Sequence, residues 1–262
     1  MNFSNYIILT AAIFLTACAS SETPSYVLTD SELHQYQGGD KLSYAVLTLN
    51  NTGILTHTYQ SVDLVTPENQ TFNALVRNID TQGGIGFPFA TPNFTQMENG
   101  NLIIEAYTEG GNTYWLTENE TATTGRVFYT SPLSDITERT NTTSPLLVCN
   151  NENGNCKNGS TTNVLLIPFG KETVETEYAK FETYKFIIEW TVDIQANDQL
   201  ATPKNYRLSG TQWVYPPLGV VKFTYDVGTG LDNVIGSLSS TNISIPDSNK
   251  SGSHTPSIKP DA

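Results

Sequence analysis

Groups able to move protons or attack a carbonyl are scarce in this chain. Its three histidines are His34, His57 and His254, and acid–base or nucleophilic catalysis needs such groups held beside one another. His34 and His254 fall in polar terminal stretches. His57 sits among Thr residues in a β-prone run, where packing is its expected role. No Gly-x-Ser-x-Gly, Ser-x-x-Lys, His-Glu-x-x-His or phosphate-loop pattern occurs. The Gly83-Gly-Ile-Gly86 stretch lacks the strand-then-helix context of a nucleotide site. Glu118 with Glu120, or Glu172 with Glu175 and Glu177, have the residue types of a glycosidase pair. They stand in acidic, turn-rich segments where a solvated face is expected.

Aromatic residues suit binding better than bond-making. Trp190, Trp213 and Tyr215 belong to the best-patterned strands. Sheet packing accounts for them. A functional account is an apolar groove on the concave side of a bent sheet, open to a lipid, a peptide or a partner's side chains.

The strands that would carry them read from period-2 alternation. From Tyr184 the even positions Phe186, Ile188, Trp190, Val192 and Ile194 are all apolar. Their odd neighbours Thr183, Lys185, Glu189, Thr191 and Asp193 are polar, and Ile187 is the exception. One face is therefore expected on a core and the other in water. Twelve such residues span about 40 Å at ~3.3 Å each, a length suited to a curved sheet. Residues 205–214, a Pro216-Pro-Leu-Gly219 turn and the alternation Val221, Phe223, Tyr225, Val227 extend this into an antiparallel meander. Earlier, residues 42–49 and 54–65 form a hairpin around Asn50–Gly53. Further strands are expected at 71–79, 102–108, 113–117 and 126–130, and a fully buried one at 163–169. Residues 83–92 and 134–143 read as loops. Asp30–Tyr36 could form one helical turn. Tyr114-Trp-Leu-Thr with Gly125-Arg-Val-Phe128 parallels Tyr206-Arg-Leu-Ser with Gly219–Phe223, so a duplicated unit is a possibility.

Composition agrees with a β protein. There are 13 Tyr and 19 Gly, against 2 Met and 13 Lys plus Arg in 262 residues. The net charge of −13 excludes nucleic acid, whose binding rests on Lys and Arg. It also excludes broad electrostatic adhesion to anionic lipid. No cofactor and no metal is expected.

The N-terminus supplies an address. Residues 7–17 are apolar apart from Thr10 and Thr16, too short to span a bilayer and of signal-peptide length. Leu15-Thr-Ala-Cys18 resembles the bacterial lipobox. The resemblance implies cleavage before Cys18, acylation of its thiol and new amine, and firm membrane attachment, since one chain alone is marginal. Ala19, where an inner-membrane retention signal resembles Asp, implies passage to the outer membrane. An exported chain meets an oxidising compartment. Cys149 and Cys156, flanking Asn-Asn-Glu-Asn-Gly-Asn, are then expected to form a disulfide across a tight turn. An EF-hand-like reading of Asn151-x-Asn153-Gly154 lacks the glutamate at its twelfth position.

Two later segments resemble elements of exported bacterial lipoproteins of unknown function. Ala179-Lys-Phe-Glu-Thr-Tyr-Lys185 is similar to a GxFxTYKV element. Gly210-Thr-Gln-Trp-Val-Tyr-Pro-Pro-Leu-Gly-Val-Val-Lys222 is similar to a GTxWxxPGxGxVK element. The resemblance implies a strongly bent antiparallel sheet similar to the half-barrels of lipoprotein carriers. The expected organisation is a signal peptide over 1–17, a lipid-anchored tether over 18–39, one mainly β domain over 40–238 with few or no long helices, and a disordered tail over 239–262. The expected function is non-catalytic binding of an envelope partner or apolar ligand at the membrane. The alternatives are a carboxylate-dependent cell-wall or carbohydrate-active enzyme, and a surface-exposed structural lipoprotein or adhesin.

Overall fold

The computed structural model describes residues 23–28, 32–83, 93–98, 100–109, 111–119, 122–123, 125–152, 154–195, 204–226 and 233–251. Strand-forming alternation dominates these residues, and they fold accordingly. In the first half the strands are β1 (Ser25–Tyr26), β2 (Lys41–Leu47), β3 (Thr52–Val65), β4 (Thr71–Gln82), β5 (Asn93–Glu98), β6 (Asn101–Glu109), β7 (Asn112–Asn119), β8 (Ala122–Thr123) and β9 (Arg126–Tyr129). The second half adds β10 (Thr140–Asn150), β11 (Cys156–Glu175), β12 (Lys180–Ile194), β13 (Lys204–Tyr215), β14 (Gly219–Asp226) and β15 (Val234–Thr241). Helical structure among the described residues amounts to two three-residue 3-10 turns, and no helix there is long and apolar enough to cross a membrane.

All fifteen strands join one curved, mainly antiparallel sheet. Its order is β8-β7-β10-β11-β12-β13-β14-β15-β2-β3-β4-β5-β6-β9. The far members meet again where β6 pairs with β7 along a four-residue seam, Ala106–Glu109 against Asn112–Trp115. The curvature has a visible cause. The ladder skips Phe169 opposite β12, Val221 opposite β13 and Ser239 opposite β2. These bulges fall close to one line across the sheet, and each extra residue bends its strand and increases the local twist.

β12 is the central span. Phe186, Ile188, Val192 and Ile194 are buried, as their parity requires, while Lys185, Glu189 and Asp193 keep access to solvent. The run at 163–169 is not the fully buried strand expected. It is the middle of the twenty-residue β11, with Leu166 buried and Phe169, pushed out by its bulge, 63% exposed. The β2–β3 hairpin has its tight turn at residues 48–51, closed by Thr48 and Asn51, with Gly53 already in strand. A second tight turn joins β11 to β12, where the Thr176 hydroxyl donates to the Ala179 carbonyl at 2.7 Å. Ala179 is fully buried, which explains a very small residue at that position of the second resemblance. β13 and β14 pair directly, whereas β9 pairs with β6 rather than β7. The sequence parallel between the two halves therefore does not correspond to a repeated pairing.

Both terminal boundaries need correction. Residues 32–39 hold no helix, yet Leu33 is buried and Tyr36 stacks on Tyr59 at 4.2 Å. β1 pairs in parallel with β12, and Tyr26 stacks on Phe181 at 5.3 Å. At the other end the chain stays folded past 238. β15 runs to Thr241, Ile243 and Asn249 are buried, and residues 249–251 bond back to residues 25–27. Tyr26, Tyr36 and Asn249 each meet an aromatic residue of the sheet, Phe181, Tyr59 and Tyr215, a match that composition alone does not reveal.

Cys149 and Cys156 form the expected disulfide, directly opposite each other where β10 turns into β11. They are 7 residues apart. Closing so short a loop removes about 2.5 kcal/mol of unfolded-chain entropy. Replacing both by Ser is expected to lower the melting temperature by roughly 5–10 °C without changing the far-UV spectrum. An unchanged melting temperature would show that the hairpin is already closed in the unfolded chain.

Candidate functional site

The inner face of the curved sheet does not close completely on itself. It leaves a cavity of about 110 Å³. One wall is built by β2, β3 and β4 and carries Tyr44, His57, Tyr59 and Arg77. The facing wall is built by β12, β13 and β14, with Trp190, Gln212, Phe223 and Tyr225. Register places these groups. His57 lies opposite Leu42, and Tyr59 lies opposite Arg77, so alternate residues of β3 point inward with the even residues of β2 and odd residues of β4. Arg77 also hydrogen-bonds Tyr59. Tyr36 also lines it, from the segment ahead of β2.

The phenols are fixed by hydrogen bonds. Tyr44 donates to the Val220 carbonyl at 2.8 Å and Tyr36 to the Leu218 carbonyl at 2.9 Å. Tyr129 donates to the Gln212 side-chain oxygen, and the Gln212 amide nitrogen donates to Tyr225 at 2.6 Å. Burial pushes Tyr36, Tyr44 and Tyr129 well above the usual phenol range, raises Tyr59, and takes Tyr225 up to about 12. Burial, then the Arg77 charge, holds His57 well below the usual imidazole range. These groups are therefore neutral at pH 7. His57 Nε2 is buried and finds no hydrogen-bond partner among the described residues, a situation that costs on the order of 1–3 kcal/mol. Such walls can stack on a ligand and hydrogen-bond to it.

The three aromatic residues expected to share a groove are separated. Trp190 lines the cavity, its indole N–H donating to the Thr162 hydroxyl at 2.7 Å. Trp213 is paired with Lys185 and so lies on the opposite face, between the Lys185 and Lys222 ammonium groups, 5.3 Å and 5.5 Å from its ring centre. Tyr215 is fully buried against Phe181 and accepts a hydrogen bond from the Asn249 amide at 3.0 Å. Trp190 faces the cavity, whereas Trp213 and Tyr215 pack the structure elsewhere. Parity alone could not separate them, because the β12–β13 register decides which face each residue takes.

The candidate carboxylate pairs fall only partly within the described residues. Glu172 pairs with Lys185 at 2.8 Å, and that hydrogen bond, then one from Trp213, holds its carboxyl below the usual range. A glycosidase acid needs the opposite shift. Glu175 and Glu177 are exposed. The side chains of Glu118 and Glu120 lie outside the described residues, as do Cys18 and His254. His34 is half-buried and bonds Asp40 at 2.8 Å. Tyr36, His57, Arg77 and Gln212 come together only through distant strands. The one sequence signal for them was a polar His57 in an otherwise β-patterned run.

No family model matches the chain, and no curated protein matches it. Three solved structures resemble it in part. A Bacteroides fragilis protein described as exported, with a YmcC-like fold, aligns at TM-score 0.47 and 12% identity over 80% of this chain and 99% of its own. A Parabacteroides distasonis protein described as a lipoprotein aligns at TM-score 0.37 and 9% identity over 80% and 97%. The hypothetical lipoprotein YmcC of Escherichia coli aligns at TM-score 0.31 and 12% identity over 81% and 87%.

Proposed function

We propose that this chain is a cell-envelope lipoprotein, held at the outer membrane by acyl chains on Cys18, that binds a small ligand in its interior and does not transform it. The observation that carries the binding role is the cavity wall. Its hydrogen-bonding side chains include five phenols and an imidazole, all held uncharged at pH 7, which suits a neutral ligand held by stacking and hydrogen bonds. The anchor reading rests on Leu15-Thr-Ala-Cys18 after an apolar run. It gains a spatial consequence from the fold. Ser25 already belongs to the sheet, so the seven residues from Cys18 reach at most about 25 Å. The body would ride close to the bilayer. Its net charge of −13 leaves attachment to the acyl chains.

Mass spectrometry of the membrane fraction is expected to find an N-terminal peptide starting at an acylated Cys18, and Cys18→Ser is expected to release the protein. A soluble chain that retains Met1 would overturn the anchor. Native mass spectrometry of freshly extracted protein is expected to show a small non-covalent passenger lost on unfolding. A bare mass would count against the binding role.

A further inference from the structure

We propose that the interior cavity takes a single-ring, uncharged aromatic molecule bearing a hydroxyl group, and that Tyr36 is the side chain that admits it. This rests on the binding role above and adds the chemical class and the route. Size comes first. At about 110 Å³ the space is of the order of the ~150 Å³ apolar cavity that accepts benzene. One ring fits; an acyl chain does not.

The walls choose the ring's chemistry. Phe128, Ile188, Trp190 and Phe223 offer apolar faces on one side. Across from them, the His57 imidazole holds a buried Nε2 with no hydrogen-bond partner among the described residues. In neutral imidazole that nitrogen donates or accepts according to tautomer. A hydroxyl satisfies either tautomer, whereas a carbonyl satisfies only one. Arg77 already bonds Tyr59 and the surrounding phenols are neutral, so a hydroxyl is held here without the desolvation cost that an ion would carry.

Tyr36 is suited to the gate. It lies in a segment without strand or helix, between fixed points where His34 N–H donates to the Pro216 carbonyl and Gly39 N–H to the Tyr59 carbonyl. Its ring lies flat on Tyr59, and its hydroxyl reaches the β13–β14 turn. That seat exists because residue 219 is glycine: a Cβ there would overlap the Tyr36 hydroxyl. Rotation of one side chain opens the cavity while the segment's flanks stay bonded.

Equilibrium dialysis of the full-length protein against phenol, benzene and benzoate tests this. Phenol is expected to bind saturably, one per chain, at least ten-fold tighter than benzene or benzoate. Ile188→Phe, which fills the cavity, is expected to abolish binding while the circular dichroism stays native. His57→Phe is expected to bring phenol down to the benzene level, and, in a stopped-flow release measurement, Tyr36→Ala is expected to speed phenol release at least ten-fold. The wild-type comparison decides the ligand class even if a variant fails to fold. Saturable binding that favours benzene or benzoate overturns the class and leaves the binding role standing. No saturable binding of any probe, with a bare native mass, overturns both. Phenol release unchanged in a folded Tyr36→Ala protein overturns the gate.

Discussion

Raising the pH above 10 is expected to unfold this protein within about two pH units. Tyr36, Tyr44, Tyr59, Tyr129 and Tyr225 all have raised folded-state values, with burial the leading cause in each. A raised phenol favours the fold below its unfolded value near 10, and that contribution is lost as pH rises toward the folded value. For Tyr225 the loss is complete at about 12. A buried phenol raised well above 10 removes ~1.4 kcal/mol per pH unit between 10 and its folded value, and Tyr36, Tyr44, Tyr129 and Tyr225 act together. Total stabilities of ~5–15 kcal/mol do not survive that slope for long. Phenolate absorbance and far-UV circular dichroism recorded together should change in one steep, coincident step. Smooth ionisation of all tyrosines around pH 10 with an unchanged β spectrum would show that the interior is wet.

The same groups explain why the site was hard to read in advance. The meander from Tyr184 to Tyr225 was legible because alternation over consecutive residues is a local property. The disulfide was legible because both cysteines flank one turn. The N-terminal part of β10, Thr140–Pro145, was not, since its first four residues are exposed and polar and only the ladder with β11 defines them as strand. The cavity is non-local in a stronger sense. His57 and Gln212 are brought to facing walls by the sheet's curvature, and no spacing within either strand encodes that approach. Trp213 misled for a related reason: a tryptophan in a good strand is equally compatible with either face until the pairing is known. Tyr36 was hidden by composition, because its flanks are polar and only its contact with Tyr59 and Gly219 makes that stretch part of the body.

Gly210→Ala is expected to be the most damaging small substitution in the sheet. Gly210 lies in β13, opposite Ile188 on one side and Tyr225 on the other. A Cβ there would overlap the backbone carbonyl oxygen of Thr224 and press on the Tyr225 ring at 2.9 Å. Glycine in a strand interior often marks such close backbone approach. The obstacle is a carbonyl in the β13–β14 ladder, so no side-chain rotation relieves it. Either β14 shifts or the ladder breaks, and both move the Gln212–Tyr225 hydrogen bond at the cavity wall. Overpacking of this kind costs about 3 kcal/mol or more, which in a body of this size is roughly 6–12 °C in melting temperature. Ser209→Ala, one residue away with its side chain on the other face, is the control and should stay within about 0.5 kcal/mol of wild type. Equal melting temperatures for the two variants would mean that β13 and β14 are not in the close contact described. A large loss confined to Gly210→Ala would give the glycine that opens the second lipoprotein-like element a purely steric reason to be there.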